Sequence, residues 1–318
     1  MNAQGMTSVA TGHPRAADAP GVMPSTPAWL GPFFWLARVC PSVLGLARPV
    51  ACAVAPIVSS KVRRAVASNT FRIYGRSLTA AEQRTFARRV VGSFFDFVVD
   101  VGRSSRMSRQ SLARLVEYVQ GLEAYRQARS LRKGAILVTA HLGTFEAGLA
   151  ALAGEEKRVH VVFKRDASPA FETLRARLHH VLGVVEAPID DGMGSWLSLR
   201  DALHRDEVIV MQGDRAVPGQ RSQVVEFLHG HVRLPTGPVR LAMLTGAPIV
   251  PVFALPTGKG RYRVELKEPI YALESDGNGV TTTLTQLADA IADVVAANPH
   301  QWLALDAMFH EDMNHGRA

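Results

Sequence analysis

Cysteine is scarce: the 318-residue chain has two, Cys40 and Cys52. Both fall in an apolar stretch, so no disulfide framework and no metal quartet can be built from them. They read as buried or lipid-facing thiols. A metal reading of His179 and His180 fails because no carboxylate stands at ligand spacing. Acidic residues are also in short supply, 28 against 36 lysines and arginines, for a net charge of +8. That balance favours anionic partners: nucleic acid, acidic lipid surfaces or acidic substrates. There is no G-x-S-x-G elbow; "GMGSW" around Ser195 lacks the final glycine and a preceding strand. There is no basic n-region of a signal peptide, no internal repeat, and no uninterrupted run of the ~20 apolar residues a simple membrane span needs. With 47% hydrophobic residues, disorder is excluded as well.

Residues 1–27 are rich in Gly, Pro, Ala and Ser, the composition of a loose tail. Residues 28–60 are apolar but broken by Arg38 and Arg48 and by Pro32, Pro41, Pro49 and Pro56. Trp29, Phe33, Phe34 and Trp35 suit the level of a membrane interface. The segment reads as a membrane-associated helical element, either a kinked anchor or helices lying in the interface. A buried helical hairpin is the alternative. Eight basic residues follow between Lys61 and Arg89 against one acid, Glu82. An apolar segment followed by a basic run fits the cytoplasmic face of a bilayer with anionic lipids. The run lacks aromatic interleaving and any nucleic-acid fold signature, so nucleic acid is not the expected partner.

The pattern from Ser77 to Asp100 predicts a helix, with a capping signal and Phe86, Val90, Phe94 and Val98 at four-residue spacing. Ser111 to Leu131 predicts more helix. "GAILVTA" is a continuous apolar run bounded by glycine, the mark of a fully buried strand. "RVHVVF", "EVIVMQ", "GAPIVPVFAL" and "RYRVELK" follow, the last two joined as a hairpin through "PTGKG". "GSWLSLRDALHRD" and Thr283 to Ala297 read as helices. Strands alternating with helices imply an α/β fold with a mostly parallel central sheet flanked by helices. The expected organisation is a tail (1–27), the apolar segment (28–60), an α/β domain (61–310) and a C-terminal tail (311–318).

In such sheets sites form beyond the carboxyl ends of the strands. "HLGTFE" follows the first strand, "KRD" (Lys164 to Asp166) the second, and "GDR" (Gly213 to Arg215) the third. On a regular helix His141 and Glu146 would point some 140° apart. They can meet if His141 sits on the turn and Glu146 in the first helical turn, with Gly143 as the corner and Thr144 as the cap. A carboxylate holding one ring N–H leaves the other nitrogen as a base. With no enzyme nucleophile in view, that base would act on a hydroxyl brought by the substrate. The local alternative is a capping carboxylate beside a satisfied histidine.

"HLGTFE" matches the H-x4-D/E motif of glycerolipid-type acyltransferases. The ordered set resembles one branch, the late (lauroyl/myristoyl-type) lipid A biosynthesis acyltransferases and their bacterial relatives. It comprises "SSKVRRAVASNTFRIYG", "KGAILVTAHLGTFE", "VVFKRDASP", "IVMQGDRAVPG", "VEFLHGHVRLPTGPVRLAMLTGAPIVPVF" and "NPHQWL", covering roughly Trp29 to Phe309. The resemblance implies a glycerolipid acyltransferase-like fold and an enzyme at the cytoplasmic face of the inner membrane. It would move an acyl group from acyl carrier protein or acyl-CoA to a lipid hydroxyl, without a cofactor or metal. Carried over by position, His141 would be the general base and Glu146 its orienter. Arg165 would stabilise the oxyanion or bind an acidic head group, and Asp214 and Arg215 would place the acceptor or brace the site. Leu234 to Pro238, "LPTGP", resembles the entry to the helix below the acyl channel. "HLGTFE" with "GDR" looks closer to relatives outside dedicated lipid A synthesis, as in aryl-polyene or ornithine lipid pathways. The rival readings are a thioesterase or lipid hydrolase using the same base, and a non-catalytic lipid-binding membrane protein.

Overall fold

The computed structural model describes residues 30–165, 169–217, 219–272 and 278–313. The tail at 1–27, Trp29, Asp166, residues 314–318 and the side chain of Phe34 lie outside the described residues. Helices α1 (Leu30–Val39), α2 (Pro41–Val58), α3 (Ser60–Tyr74), α4 (Ala80–Ser104) and α5 (Arg109–Ala113) precede strand β1 (Val116–Gln120). Helix α6 (Leu122–Ser130) leads to β2 (Ala135–Thr139), α7 (Phe145–Glu155) to β3 (Val159–Phe163), and α8 (Pro169–Leu182) to β4 (Val185–Pro188). Then come α9 (Met193–His204), β5 (Val208–Gln212), the hairpin of β6 (Ser222–Phe227) and β7 (Gly230–Pro235), and α10 (Gly237–Thr245). A second hairpin, β8 (Ile249–Gly258) and β9 (Arg261–Leu266), is followed by α11 (Gly279–Ala297) and α12 (His310–Met313).

Seven strands form the main sheet in the order β1-β9-β8-β2-β5-β3-β4. From β8 to β4 neighbouring strands are parallel; β9 runs antiparallel to β8, and β1 runs parallel to β9. The α/β reading therefore holds. Strand β2 sits centrally and is buried along its whole length, which is why it reads as an unbroken apolar run. Its side chains alternate between two cores: Ile136 and Val138 pack with α9, α10 and α11, while Ala135 and Leu137 pack with α5, α7 and α8. The region read as helix from Ser111 to Leu131 is a correction. It contains β1, an exposed edge strand whose Val116, Tyr118 and Val119 suit a pleat better than a helix.

Helix α4 opens with the capping box foreshadowed by the sequence: Glu82 N–H donates to Thr79 Oγ1 at 3.3 Å and Thr79 N–H to Glu82 Oε2 at 2.8 Å. Phe95 and Val98 on α4 pack beneath Ala37 and Leu44 of α1 and α2. The other side of α2 is uncovered. Val43, Leu46, Val50, Val54 and Ile57 recur at three- and four-residue intervals and are all exposed, Leu46 by 82%. Among the described residues no single helix is long and apolar enough to cross a membrane; Val43–Val58 with Ser60–Tyr74 passes that test only as a pair bent by 86°. At the other end, residues 311–313, expected to begin a loose tail, lie in α12. There Glu311 accepts from His231 Nδ1 at 2.8 Å, and Arg72 Nε donates to Asp312 at 3.3 Å.

Candidate active site

Strands β2 and β5 are adjacent and parallel, with Thr139 opposite Gln212. Gly213 N–H donates to the Thr139 carbonyl at 2.8 Å, which carries the pairing one step past the strand ends. Two residues beyond each strand the register brings His141 opposite Asp214, and His141 Nδ1 lies 2.7 Å from Asp214 Oδ1. The imidazole is about one-third exposed and the carboxylate wholly buried. The sequence offers Glu146 as the partner of His141; among the described residues no hydrogen bond joins the two, and Asp214 stands at the ring instead.

Asp214 is closed in by donors. Arg215 donates to Oδ2 from Nη2 at 2.9 Å and from Nε at 3.2 Å, and Trp302 Nε1 donates to the same oxygen at 2.9 Å. Burial works to raise its pKa, but the Arg215 charge, His141 and the Trp302 hydrogen bond outweigh it and hold the carboxyl well below the ordinary range. An ionised carboxylate only accepts, so Nδ1 carries the proton at this contact; in the neutral imidazole Nε2 is then the nitrogen with the free lone pair. Trp302 stands in "NPHQWL", a stretch whose sequence alone implies no role for the tryptophan.

The turn bearing His141 is clamped on both sides. Leu303 N–H donates to the His141 carbonyl at 2.8 Å, and Thr144 N–H donates to the Ala254 carbonyl of β8 at 3.1 Å. Gly143 sits at φ +70°, and a Cβ there would lie 2.0 Å from the Ala254 oxygen, so the corner requires glycine. Asp100 of α4 accepts from Thr144 Oγ1 at 3.2 Å and from Tyr262 Oη at 2.5 Å. The helix against which α1 and α2 pack is thereby tied to the turn that bears His141. None of Asp100, Thr144 and Tyr262 was singled out as a site residue from sequence, because each is an ordinary polar residue in its local context. Between α2, α4 and the turn opens a cavity of about 280 Å³ lined by Arg48, Arg89, Asp96, Thr144, His300 and Gln301, among others.

Glu146 occupies the first turn of α7, buried, with no hydrogen-bond partner for Oε2. Burial, reinforced by the charge of Asp100 and opposed by its own backbone N–H, pushes its pKa up from 4.5 to about 7. Below the unfolded value both states hold the proton. As pH rises through the interval the unfolded chain ionises first, so the folded state loses stability, on the order of 3 kcal/mol once pH exceeds the folded value. Glu146→Gln should match wild type in urea unfolding at about pH 4 and below and exceed it near about pH 8, by up to about 3 kcal/mol. A gap that does not widen with pH would show that the carboxylate has a partner after all.

Arg165 leaves the exit of β3, on the same sheet edge but on the far side of β5 from β2. It is half exposed and bonded to Asp191 Oδ1 at 2.7 Å, with its backbone N–H on Asp190 at 3.0 Å. Asp214 and Arg215 thus join His141, whereas Arg165 stands at the rim. Pro235 closes β7, and Gly237 and Pro238 open α10. Among the described residues no group of His, Cys, Asp or Glu is arranged to hold a metal.

The model of the bacterial lipid A biosynthesis acyltransferases matches residues 22–311. A phosphatidylinositol mannoside acyltransferase of Mycobacterium tuberculosis (strain CDC 1551 / Oshkosh) is 25% identical over 221 residues, covering 69% of this chain and 68% of its own. The protein of that name in strain ATCC 25618 / H37Rv is 24% identical over the same share of each chain.

Proposed function

The chain belongs to the bacterial lipid A biosynthesis acyltransferase family, and from that premise we propose that it moves a fatty acyl group from an acyl carrier protein or coenzyme A thioester to a hydroxyl of a membrane glycolipid. The observation that carries the mechanism is the 2.7 Å contact between His141 Nδ1 and the buried, ionised Asp214. Asp214 fixes the tautomer, and Nε2 takes the proton of the acceptor hydroxyl as its oxygen attacks the thioester carbonyl. The C–O bond forms, the C–S bond breaks, and the leaving thiolate recovers the proton from the imidazolium. Arg215 and Trp302 keep the carboxylate in place. Glu146, whose carboxyl burial shifts toward the neutral form, holds the start of α7 rather than the base. Arg165 serves the rim, where a guanidinium meets an anionic head group.

An apolar pocket of about 680 Å³ supports the acyl part of this reading. It begins at Thr139, Phe145 and Ala254, which flank the His141 turn, and continues between α7 and the sheet. Lipid mass spectrometry of a deletion strain against a complemented one tests the function. Loss of one acylated species, restored by wild type and not by His141→Ala, is the expected result; an unchanged lipid profile would refute it.

The exposed stripe on α2, with Lys61, Arg63 and Arg64 at the start of α3, fits an anionic leaflet, here assigned to the cytoplasmic face of the inner membrane. Leu46→Glu combined with Ile57→Glu should weaken flotation with phosphatidylglycerol-containing vesicles by more than about tenfold, given ~1.5–3 kcal/mol for each large apolar side chain buried. Flotation equal to wild type would move the membrane contact elsewhere.

A further inference from the structure

The apolar pocket has a polar far end. Helix α7 runs from the catalytic edge of the sheet back along β2 for 11 residues, about 16 Å. Where it finishes, Glu156 accepts from Tyr125 Oη at 2.5 Å and from Arg129 Nε and Nη2, both at 3.0 Å. Arg129 also reaches Asp206 at 2.5 Å, and Asp206 accepts from Gly134 N–H at 3.1 Å. Gly134 directly precedes β2 and Asp206 stands two residues before β5, so this cluster lies at the edge of the sheet opposite His141. The side chains of Arg129 and Glu156 are largely buried and mutually satisfied. A hydrocarbon chain entering beside His141 would meet Leu137, Leu149, Leu152 and Leu266, and then the Tyr125 ring backed by this ion pair. To pass further it would have to displace the ring and leave buried charges without partners, which is strongly unfavourable.

We propose that Tyr125, fixed by Glu156 and Arg129, is the end stop of the pocket and sets the longest acyl group the protein transfers. This assignment rests on the acyltransferase reading and adds a specificity-determining residue to it. Ala151, half-way along α7 on the pocket wall, provides a control in the opposite direction.

The test is a binding ladder on the full-length protein, with saturated fatty acids from lauric to arachidic displacing cis-parinaric acid. The acyl composition of lipids in complemented cells is measured alongside. In wild type each added methylene should tighten binding about fourfold while apolar wall remains, and then the gain should stop. Tyr125→Ala should move that break to longer chains, Ala151→Leu to shorter ones, and Tyr125→Phe should leave it in place. Tyr125→Leu, which keeps more of the buried volume, stands in if the alanine protein does not fold. A break at the wild-type length in folded Tyr125→Ala or Tyr125→Leu, with Ala151→Leu shifted, would put the stop elsewhere and overturn the proposal. A ladder without any break in wild type would overturn it too. Absence of acyl transfer in wild-type cells would instead defeat the functional reading, while the ladder still decides on Tyr125.

Discussion

Replacing His141 with alanine should lower acyl transfer by about 10²–10⁴-fold, the usual contribution of a positioned general base. The fold should survive the change. The imidazole is about one-third exposed, and the hydrogen bond that anchors the turn, from Leu303 N–H, goes to the His141 backbone rather than its side chain. Asp214 would keep Arg215 and Trp302 as donors, so no buried charge is orphaned. Vesicle flotation should be unaffected, because α2 lies outside the change. The measurement is initial rate of thioester consumption with acceptor present, alongside a thermal melt. A folded alanine protein retaining a tenth or more of the rate would remove His141 from the role of base.

The α/β architecture was legible because its central strands are buried on both faces and so appear as unbroken apolar runs between glycines, as in "GAILVTA". Edge strands carry no such mark: β1 is largely exposed and its segment has the texture of a helix, and β4 is only four residues long. His141 was also conspicuous, since it follows a fully buried apolar strand almost directly. Its partner was not. Spacing along the chain favours Glu146, five positions away, whereas Asp214 is far away in sequence and becomes the neighbour only because β5 is inserted between β2 and β3. Strand order is a property of the folded sheet. The linear sequence does show that His141 and Asp214 each stand two residues past a strand, and that equality becomes informative once the strands are known to be adjacent and in register. Glu146 illustrates the converse: a residue with the right type and spacing that lies buried at the helix start, where burial pushes its carboxyl up and no hydrogen bond ties it to His141. Arg165 stands in the second of the expected polar exits but lies beyond β5, where its charged partners are Asp190 and Asp191.

Asparagine at position 214 should cost both rate and stability, and the two losses can be separated. Four N–H groups converge on this carboxylate: Nδ1 of His141, Nε and Nη2 of Arg215, and Nε1 of Trp302. An amide has one oxygen for them. If that oxygen faces Arg215 and Trp302, its NH2 group faces His141 and must donate to Nδ1. The imidazole proton then moves to Nε2, and the nitrogen that should accept the acceptor's proton is blocked. The expected loss in rate is about 10²–10⁴-fold, comparable to losing the base itself. Stability should fall by about 3 kcal/mol, toward the lower end for a broken buried pair, because the partly exposed Arg215 can regain water. Trp302→Phe supplies the comparison. It removes one donor from Asp214 and leaves the charges and the histidine contact intact, so it should lower stability by about 1–3 kcal/mol with a rate within tenfold of wild type. Nitrogen-15 NMR of the histidines distinguishes the tautomers directly. A folded Asp214→Asn protein with wild-type rate and the proton still on Nδ1 would reduce Asp214 to a structural carboxylate. If Asp214→Asn is slow while Glu146→Gln is not, the dyad belongs to the two strand exits rather than to the single motif that first drew attention.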